Sequence, residues 1–129
     1  MQKIINILSL IALVFFVGCA TQTPKTDEEI VQQKAQQRLD ALLATDFEKA
    51  YSYASPAYRN SVSLNRHKPK VLGAGMWTKG EIQSVTCEID YCDVVSKIHY
   101  RSPQIRAELP TEIRNRWIKI DGKWWIYHR

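Results

Sequence analysis

The chain has 129 residues, with 18 Lys and Arg against 13 Asp and Glu, and its formal net charge is +5 at pH 7. This length fits one domain with a modest hydrophobic core rather than several domains. The mild basic charge, combined with the export signal described next, favours an anionic membrane surface or envelope polymer and argues against nucleic acid as a partner.

The first residues have the pattern of a targeting segment. Lys3 supplies a positive start, and the apolar run over residues 4–17 is shorter than the roughly 20 residues that a membrane-spanning helix needs. The run ends in Phe-Val-Gly-Cys at 16–19, which resembles the lipobox of bacterial lipoproteins. In that family the cysteine receives a diacylglyceryl group, the peptide is cut before it, and the new amino terminus is usually acylated with a fatty acid such as palmitate.

The resemblance implies a signal peptide over residues 1–18 and a lipid anchor at Cys19. Because Ala20 rather than Asp follows the cysteine, it also implies the outer membrane, with the domain facing the periplasm of the cell envelope. The alternatives are an uncleaved signal anchor and an ordinary secreted protein. Residues 19–26 form the lipidated cysteine and a polar linker, and residues 27–129 form the domain.

The start of the domain is predicted to be helical. Thr26 and Glu29 fit a capping box. Helical spacing then places four apolar residues on one face, namely Val31, Ala35, Leu39 and Leu42. A second helix is predicted after Thr45, and Ser55-Pro56 indicates a third.

The middle of the chain is basic and is predicted to be irregular. No Asp or Glu occurs between Glu48 and Glu81, and Pro69 with three glycines breaks regular structure from residue 65 to residue 80. The basic residues between Glu48 and Glu81 include Arg59, Arg66, Lys68, Lys70 and Lys79. A solvated loop and a contact with lipid headgroups are both consistent with them.

Cys87 and Cys92 are predicted to form a disulfide across a β-hairpin. Side chains alternate between the two faces of each strand. If residues 88–91 form the loop of the hairpin, this alternation places the two cysteines opposite each other on the same face. Export to an oxidising compartment favours the bridge. A metal site is the alternative, but no further Cys or His lies close by in sequence.

The end of the chain is predicted to be antiparallel sheet. Residues 111–120 and 123–128 are joined by Asp121-Gly122, which is a strong hairpin signal. A two-residue turn at this position sets the pairing of the two strands. One face of the pair is then assigned to the core, and the other face is mixed basic and aromatic, with Arg116, Trp125 and Tyr127. We interpret that second face as a candidate partner surface. The alternative is that helices or loops simply cover Trp125.

The helical start over residues 41–58 and the terminal run over residues 116–127, with Trp on either side of Asp-Gly, resemble the nuclear transport factor 2-like family, also called the cystatin-like cone. The resemblance implies an α+β fold in which N-terminal helices pack on a curved antiparallel β-sheet. It also implies a ligand site inside the cone. That superfamily includes isomerases, dehydratases and pure binding modules, so the fold does not fix the function.

The candidate cavity residues are aromatic, and they would suit an apolar ligand with a polar end; they are Tyr51, Tyr58, Trp77 and Trp117. Core packing is the alternative for them. No catalytic motif or metal cluster is found in the sequence, no cofactor is expected, and His67, His99 and His128 are each interpreted as neutral, satisfied by hydrogen bonds or exposed.

The sequence thus predicts a membrane-anchored, non-enzymatic module that binds an envelope protein or a small apolar ligand, with a homodimer through the outer sheet face as one possibility. The alternatives are an enzyme of the isomerase or dehydratase kind that uses the cone cavity, and a purely structural envelope protein.

Overall fold

The computed structural model describes residues 22–129. Four helices and a short 3-10 helix precede a sheet of four antiparallel strands in the order β1-β2-β3-β4. The predicted α+β class, with helices followed by antiparallel sheet, is therefore confirmed. The signal peptide over residues 1–18, the lipidation at Cys19 and the start of the linker lie outside the described residues.

The helical elements follow each other closely along the chain. They are α1 (Asp27–Leu43), α2 (Phe47–Ser52), α3 (Pro56–Ser61), α4 (Leu64–Val71) and the 3-10 helix (Leu72–Met76). The strands are β1 (Trp77–Cys87), β2 (Tyr91–Ser102), β3 (Ala107–Ile120) and β4 (Lys123–Ile126). Within residues 22–129, no helix combines the length and the apolar character needed to cross a membrane.

Side-chain caps begin the helices. The predicted capping box of α1 is present, since the Thr26 hydroxyl accepts from the Glu29 amide at 3.2 Å and the Glu29 carboxylate accepts from the Thr26 amide. Ser55 caps α3 as predicted, with Pro56 in the first turn. The cap of α2 is Asp46 rather than Thr45, which has a positive φ of 56°.

The predicted irregular segment is instead mostly helical. Ser63 caps α4 by accepting from the Arg66 amide, and this helix contains Pro69. Proline removes one backbone donor and disfavours a helix interior. Here the α-helix ends two residues after Pro69 and tightens into the 3-10 helix that contains Gly73 and Gly75.

The two predicted hairpins are confirmed. Cys87 pairs with Cys92 across β1 and β2, and a disulfide joins them. Asp121 and Gly122 both have positive φ, at 50° and 75°, as a two-residue hairpin turn requires. Strand β3 begins earlier than predicted and includes Pro110, which is tolerated because short β4 pairs only with residues 117–120 of β3.

The core lies between α1 and the inner face of the sheet. Its largest side chains, Trp117, Trp124 and Ile126, are all at most 2% exposed. The last strand is also tied to the helical layer, because the Ile126 amide donates to the Tyr53 carbonyl. At the start of α1, the Asp27 carboxylate accepts from the Trp124 indole at 2.9 Å and from Lys119 at 3.2 Å. These contacts fix α1 against the β3–β4 hairpin.

Candidate functional site

A cavity of about 290 Å³ lies where α1, α4 and the 3-10 helix meet β3 and the C-terminal residues. Its polar wall combines a guanidinium, an ammonium, an amide and two imidazoles, whereas its other wall is mainly apolar. No Asp or Glu is found among the lining residues of the described chain. The lining residues are Arg38, Leu42, His67, Lys70, Val71, Gly73, Ala74, Trp77, Ile113, Asn115 and His128.

Arg38 is the buried cation of this cavity. It lies on the same stripe of α1 as Val31, Ala35 and Leu42, which packs inward, and it is 8% exposed. Its Nε has no hydrogen-bond partner among residues 22–129. Burial lowers the pKa of Arg38 to about 10, so the guanidinium is still charged at neutral pH.

His67 and His128 form an imidazole pair beside Arg38. Their rings meet edge to face with centroids 4.9 Å apart, and Tyr58 contacts both rings. The Tyr58 hydroxyl lies 3.0 Å from Nδ1 of His67. Nε2 of each imidazole is buried and has no hydrogen-bond partner in the described part of the chain.

Both imidazoles are neutral at pH 7. Burial lowers the pKa of His128 to about 4, and the charges of Arg38 and Lys70 act in the same direction. Burial, followed by the same two cations, also lowers the pKa of His67. The cavity therefore contains neutral rings next to two fixed positive charges.

Local structure explains how these groups come together. The Ser63 cap starts α4 so that His67 is its one fully buried residue. His128 directly follows Tyr127, whose amide donates to the Arg116 carbonyl and so extends the pairing with β3 past the end of β4. The imidazole pair of the site thus depends on α4 and on the residues that follow β4.

The four predicted cavity aromatics lie in different places. Trp77 lines the cavity, and Tyr58 packs against its imidazole pair. Tyr51 stacks near His67, and its hydroxyl donates to the Val62 carbonyl at 2.6 Å. Trp117 is 1% exposed and belongs to the core, where it borders an adjoining void of about 20 Å³ that shares Arg38 and Trp77 with the cavity.

The predicted partner surface lies on the outer sheet face and its edge. Arg116 binds Asp93 through two hydrogen bonds of 2.8 and 2.9 Å and packs on the Tyr91 ring. Trp125 has Lys34 and Arg59 near its ring, so basic side chains of the helices flank it. Tyr127 is 47% exposed. A partner on this surface stays a prediction.

Sequence reasoning missed Arg38 and placed His67 in an irregular basic loop, whereas the structure buries it in α4. The signal for Arg38 was present in the helical spacing, because position 38 falls on the stripe formed by positions 31, 35 and 42. No comparable signal existed for His67, since its burial depends on α4, which the sequence did not predict. Within the described residues, no group of three or more His, Cys, Asp or Glu is placed to hold a metal ion.

Comparison with known proteins gives likeness at the level of the fold. No family model matches the chain, and no curated protein matches it. A solved SEC-C motif containing protein from Psychrobacter arcticus is similar with a TM-score of 0.61 and 13% identity, over 84% of this chain and 63% of that protein. The chain thus spans less than two thirds of that protein's length.

A second solved structure supports the same likeness. It is a SEC-C motif containing protein from Rhodopseudomonas palustris, with a TM-score of 0.51 and 16% identity over 70% of each chain. At these identities the likeness concerns the fold alone.

These structures correct the resemblance drawn from the sequence. The similar structures are SEC-C motif containing proteins and not nuclear transport factor 2-like cone domains, so that assignment is wrong. Its basis was local, because Asp-Gly between tryptophans is compatible with any antiparallel hairpin. The comparisons give no support to the lipobox at Cys19 either, and the lipoprotein assignment is dropped. Localisation at the cell envelope stays a prediction of the sequence.

Proposed function

We propose that this chain is a non-enzymatic binding module and that its ligand site is the cavity beside Arg38. One observation carries the proposal: among the described residues, the buried Nε of Arg38 and the buried Nε2 of His67 and of His128 lack hydrogen-bond partners at a single cavity. Buried polar groups normally have hydrogen-bond partners, because an unpartnered one costs about 1–3 kcal/mol. A bound ligand would supply those partners.

The size and the walls of the cavity are consistent with this role. A volume of about 290 Å³ lies just below the range for small-molecule sites, which runs from about 300 to 1,000 Å³. The outer sheet face has a larger groove of about 530 Å³ that includes Arg116 and Tyr127. There, however, Arg116 is already paired with Asp93, so the groove leaves fewer polar groups in need of a partner.

The test is a screen of chemically diverse fragments against the full chain, observed by NMR of the fragments. Gly73→Leu should lower or abolish the affinity of these fragments, because Gly73 lines the cavity. Gly75→Leu is the matched control, since it lies in the same 3-10 helix, does not line the cavity, and has equally open space around its Cα. The proposal would be refuted if no fragment bound, or if neither substitution changed the affinity of the fragments that bind.

The imidazole pair favours a second candidate, an enzyme that acts on a small molecule in the same cavity. A neutral imidazole can act as a general base, although a pKa of about 4 makes His128 a weak one. The lining residues of the described chain include no Ser, Cys, Asp or Glu, so the nucleophile would be water, the substrate itself, the Lys70 amine or an imidazole. Chemical conversion of a bound fragment by the wild type, and its loss in His128→Gln, would establish this candidate instead.

A further inference from the structure

We infer that the ligand of the cavity is a small organic monocarboxylate, bound by Arg38 and by Nε2 of His67 and His128. This inference rests on the proposed function and gives its ligand a chemical class. It depends on three features of the cavity: its uncompensated charge, the direction of its hydrogen bonds and its apolar wall.

The first feature is the unbalanced charge. Arg38 and Lys70 both line the cavity, and no carboxylate among its described lining residues opposes them. A buried charge is costly unless it is paired and hydrogen-bonded. The same chain satisfies Arg116 with a bidentate contact to Asp93 where a carboxylate is within reach. A ligand carboxylate would satisfy Arg38 in the same way.

The second feature is a chain of donors that ends at the cavity. The Lys70 ammonium can only donate, and its Nζ lies 3.4 Å from the Tyr58 hydroxyl. Both contacts are satisfied when the Tyr58 hydroxyl accepts from Lys70 and donates its own proton to Nδ1 of His67 at 3.0 Å. In that tautomer, Nε2 of His67 carries a proton, so it is a donor without an acceptor. An anionic oxygen fits such a position, and a second donor does not.

The third feature distinguishes an organic anion from a bare inorganic one. Leu42, Val71, Trp77 and Ile113 form the apolar part of the wall. Phosphate or sulfate would leave this part without a partner. A volume of about 290 Å³ holds roughly ten non-hydrogen atoms, at about 30 Å³ for each in a liquid. Benzoate and hexanoate are therefore suitable probes.

Binding of an anion should also take up a proton. The groups that face the imidazole pair are Arg38 from α1, Tyr51 from α2, Tyr58 from α3 and Lys70 from α4. Burial, and after it the two cations, lowers the pKa of both rings, and a bound carboxylate would offset the effect of the cations. Benzoate should therefore bind more tightly at pH 5.5 than at pH 7.5.

The experiment compares benzoate with benzamide by calorimetry on the full chain. The two probes have nearly the same shape, and only the first has a charge. We expect benzoate to bind at least tenfold more tightly. Arg38→Met should abolish this preference and should leave the unliganded protein equally stable or more stable, because it removes an unpaired buried charge. A purely structural arginine would instead be needed for stability. Arg101→Met, on the exposed part of β2, is the matched control.

The outcomes separate this inference from the proposed function. Equal binding of benzoate and benzamide, or retention of the preference in Arg38→Met, would overturn the carboxylate inference and leave a binding module. The inference would also fail if neither benzoate nor hexanoate bound while other fragments bound the cavity. If no fragment of any class bound, both would fail. The comparison of the two probes on the wild type needs no variant to fold.

Discussion

The imidazole of His67 lies edge to face against that of His128, with ring centroids 4.9 Å apart. His67 belongs to α4, and His128 is the second-last residue of the chain. Their contact therefore joins the helical layer to the end of the sheet at the cavity. Because both rings are buried beside Arg38 and Lys70, protonation of either one adds a charge to an already positive site.

Stability should therefore depend on pH in a particular window. Burial lowers the pKa of His128 to about 4, whereas an unfolded histidine titrates near 6.5. Between these values the unfolded chain binds more protons than the folded chain, so the free energy of unfolding falls as the pH is lowered from about 6.5 to 4. We expect a loss on the order of 1–2 kcal/mol, because solvent reaches part of the ring and weakens the effect. Urea unfolding across this range measures it.

His128→Gln should reduce this dependence, because it removes one of the two buried imidazoles whose pKa is lowered, and His67 accounts for the remainder. Ile126→Val is the control, since it perturbs the neighbouring core without changing a titratable group. It should cost about 1 kcal/mol at every pH. If the free energy of unfolding varied with pH in the same way for the wild type and His128→Gln, His128 would not be the cause of the pH dependence. The pKa values of Asp27 and Asp93 are also lowered, but the ordinary value for Asp is 3.8. These two carboxylates therefore affect stability only at a lower pH than His128 does.

Local signals in the sequence predicted much of the fold. The capping box at Thr26, the Ser55-Pro56 start and the Asp121-Gly122 turn each depend on a few adjacent residues. The pairing of Cys87 with Cys92 follows from alternation on either side of a short loop. In each case the local preference and the final structure agree, as expected where tertiary contacts do not oppose it.

The candidate site was much harder to predict. Pro69 and the glycines after it suggested a loop, and the Ser63 cap that starts α4 was overlooked. Without that helix, nothing in the sequence indicated that His67 is buried. Its neighbour in space, His128, is distant in sequence, and no local pattern reports such a contact. Only Arg38 had a local signal, namely a charged residue on the buried stripe of α1.

The disulfide should contribute stability even though it closes a short loop. For a closed loop of about six residues, the loss of chain entropy in the unfolded state corresponds to about 2 kcal/mol. We expect reduction to lower the free energy of unfolding by about this amount, as measured in urea with and without dithiothreitol. The Cys87→Ala/Cys92→Ala double variant should be insensitive to dithiothreitol. Mass spectrometry should find two more alkylated cysteines after reduction than before, and equal numbers would mean that no bridge exists.

Asp27 should matter for stability through two different contacts. Its carboxylate accepts from the buried Trp124 indole and pairs with Lys119. Asp27→Asn keeps an acceptor for the indole and removes the charge, whereas Asp27→Ala also leaves the indole donor unpaired. We expect the melting temperature to be highest for the wild type, lower for Asp27→Asn and lowest for Asp27→Ala. Equal melting temperatures for the two variants would mean that the indole contact contributes nothing measurable.

Gly80 of β1 allows α1 to approach the sheet closely, and this position gives the last prediction. A Cβ at residue 80 would lie 3.0 Å from Cδ2 of Leu39 and 3.2 Å from Cγ2 of Ile98. Because both neighbours are buried, the added methyl requires these packed side chains to shift by a few tenths of an ångström, and Gly80→Ala should cost about 1–3 kcal/mol. Gly75→Ala is the matched control, since nothing lies within 4 Å of its added Cβ. It should be neutral or stabilise by up to about 1 kcal/mol. Since Leu39 adjoins Arg38, Gly80→Ala should also weaken ligand binding at the cavity. Equal unfolding midpoints for the two alanine variants would contradict the close approach of α1 to the sheet.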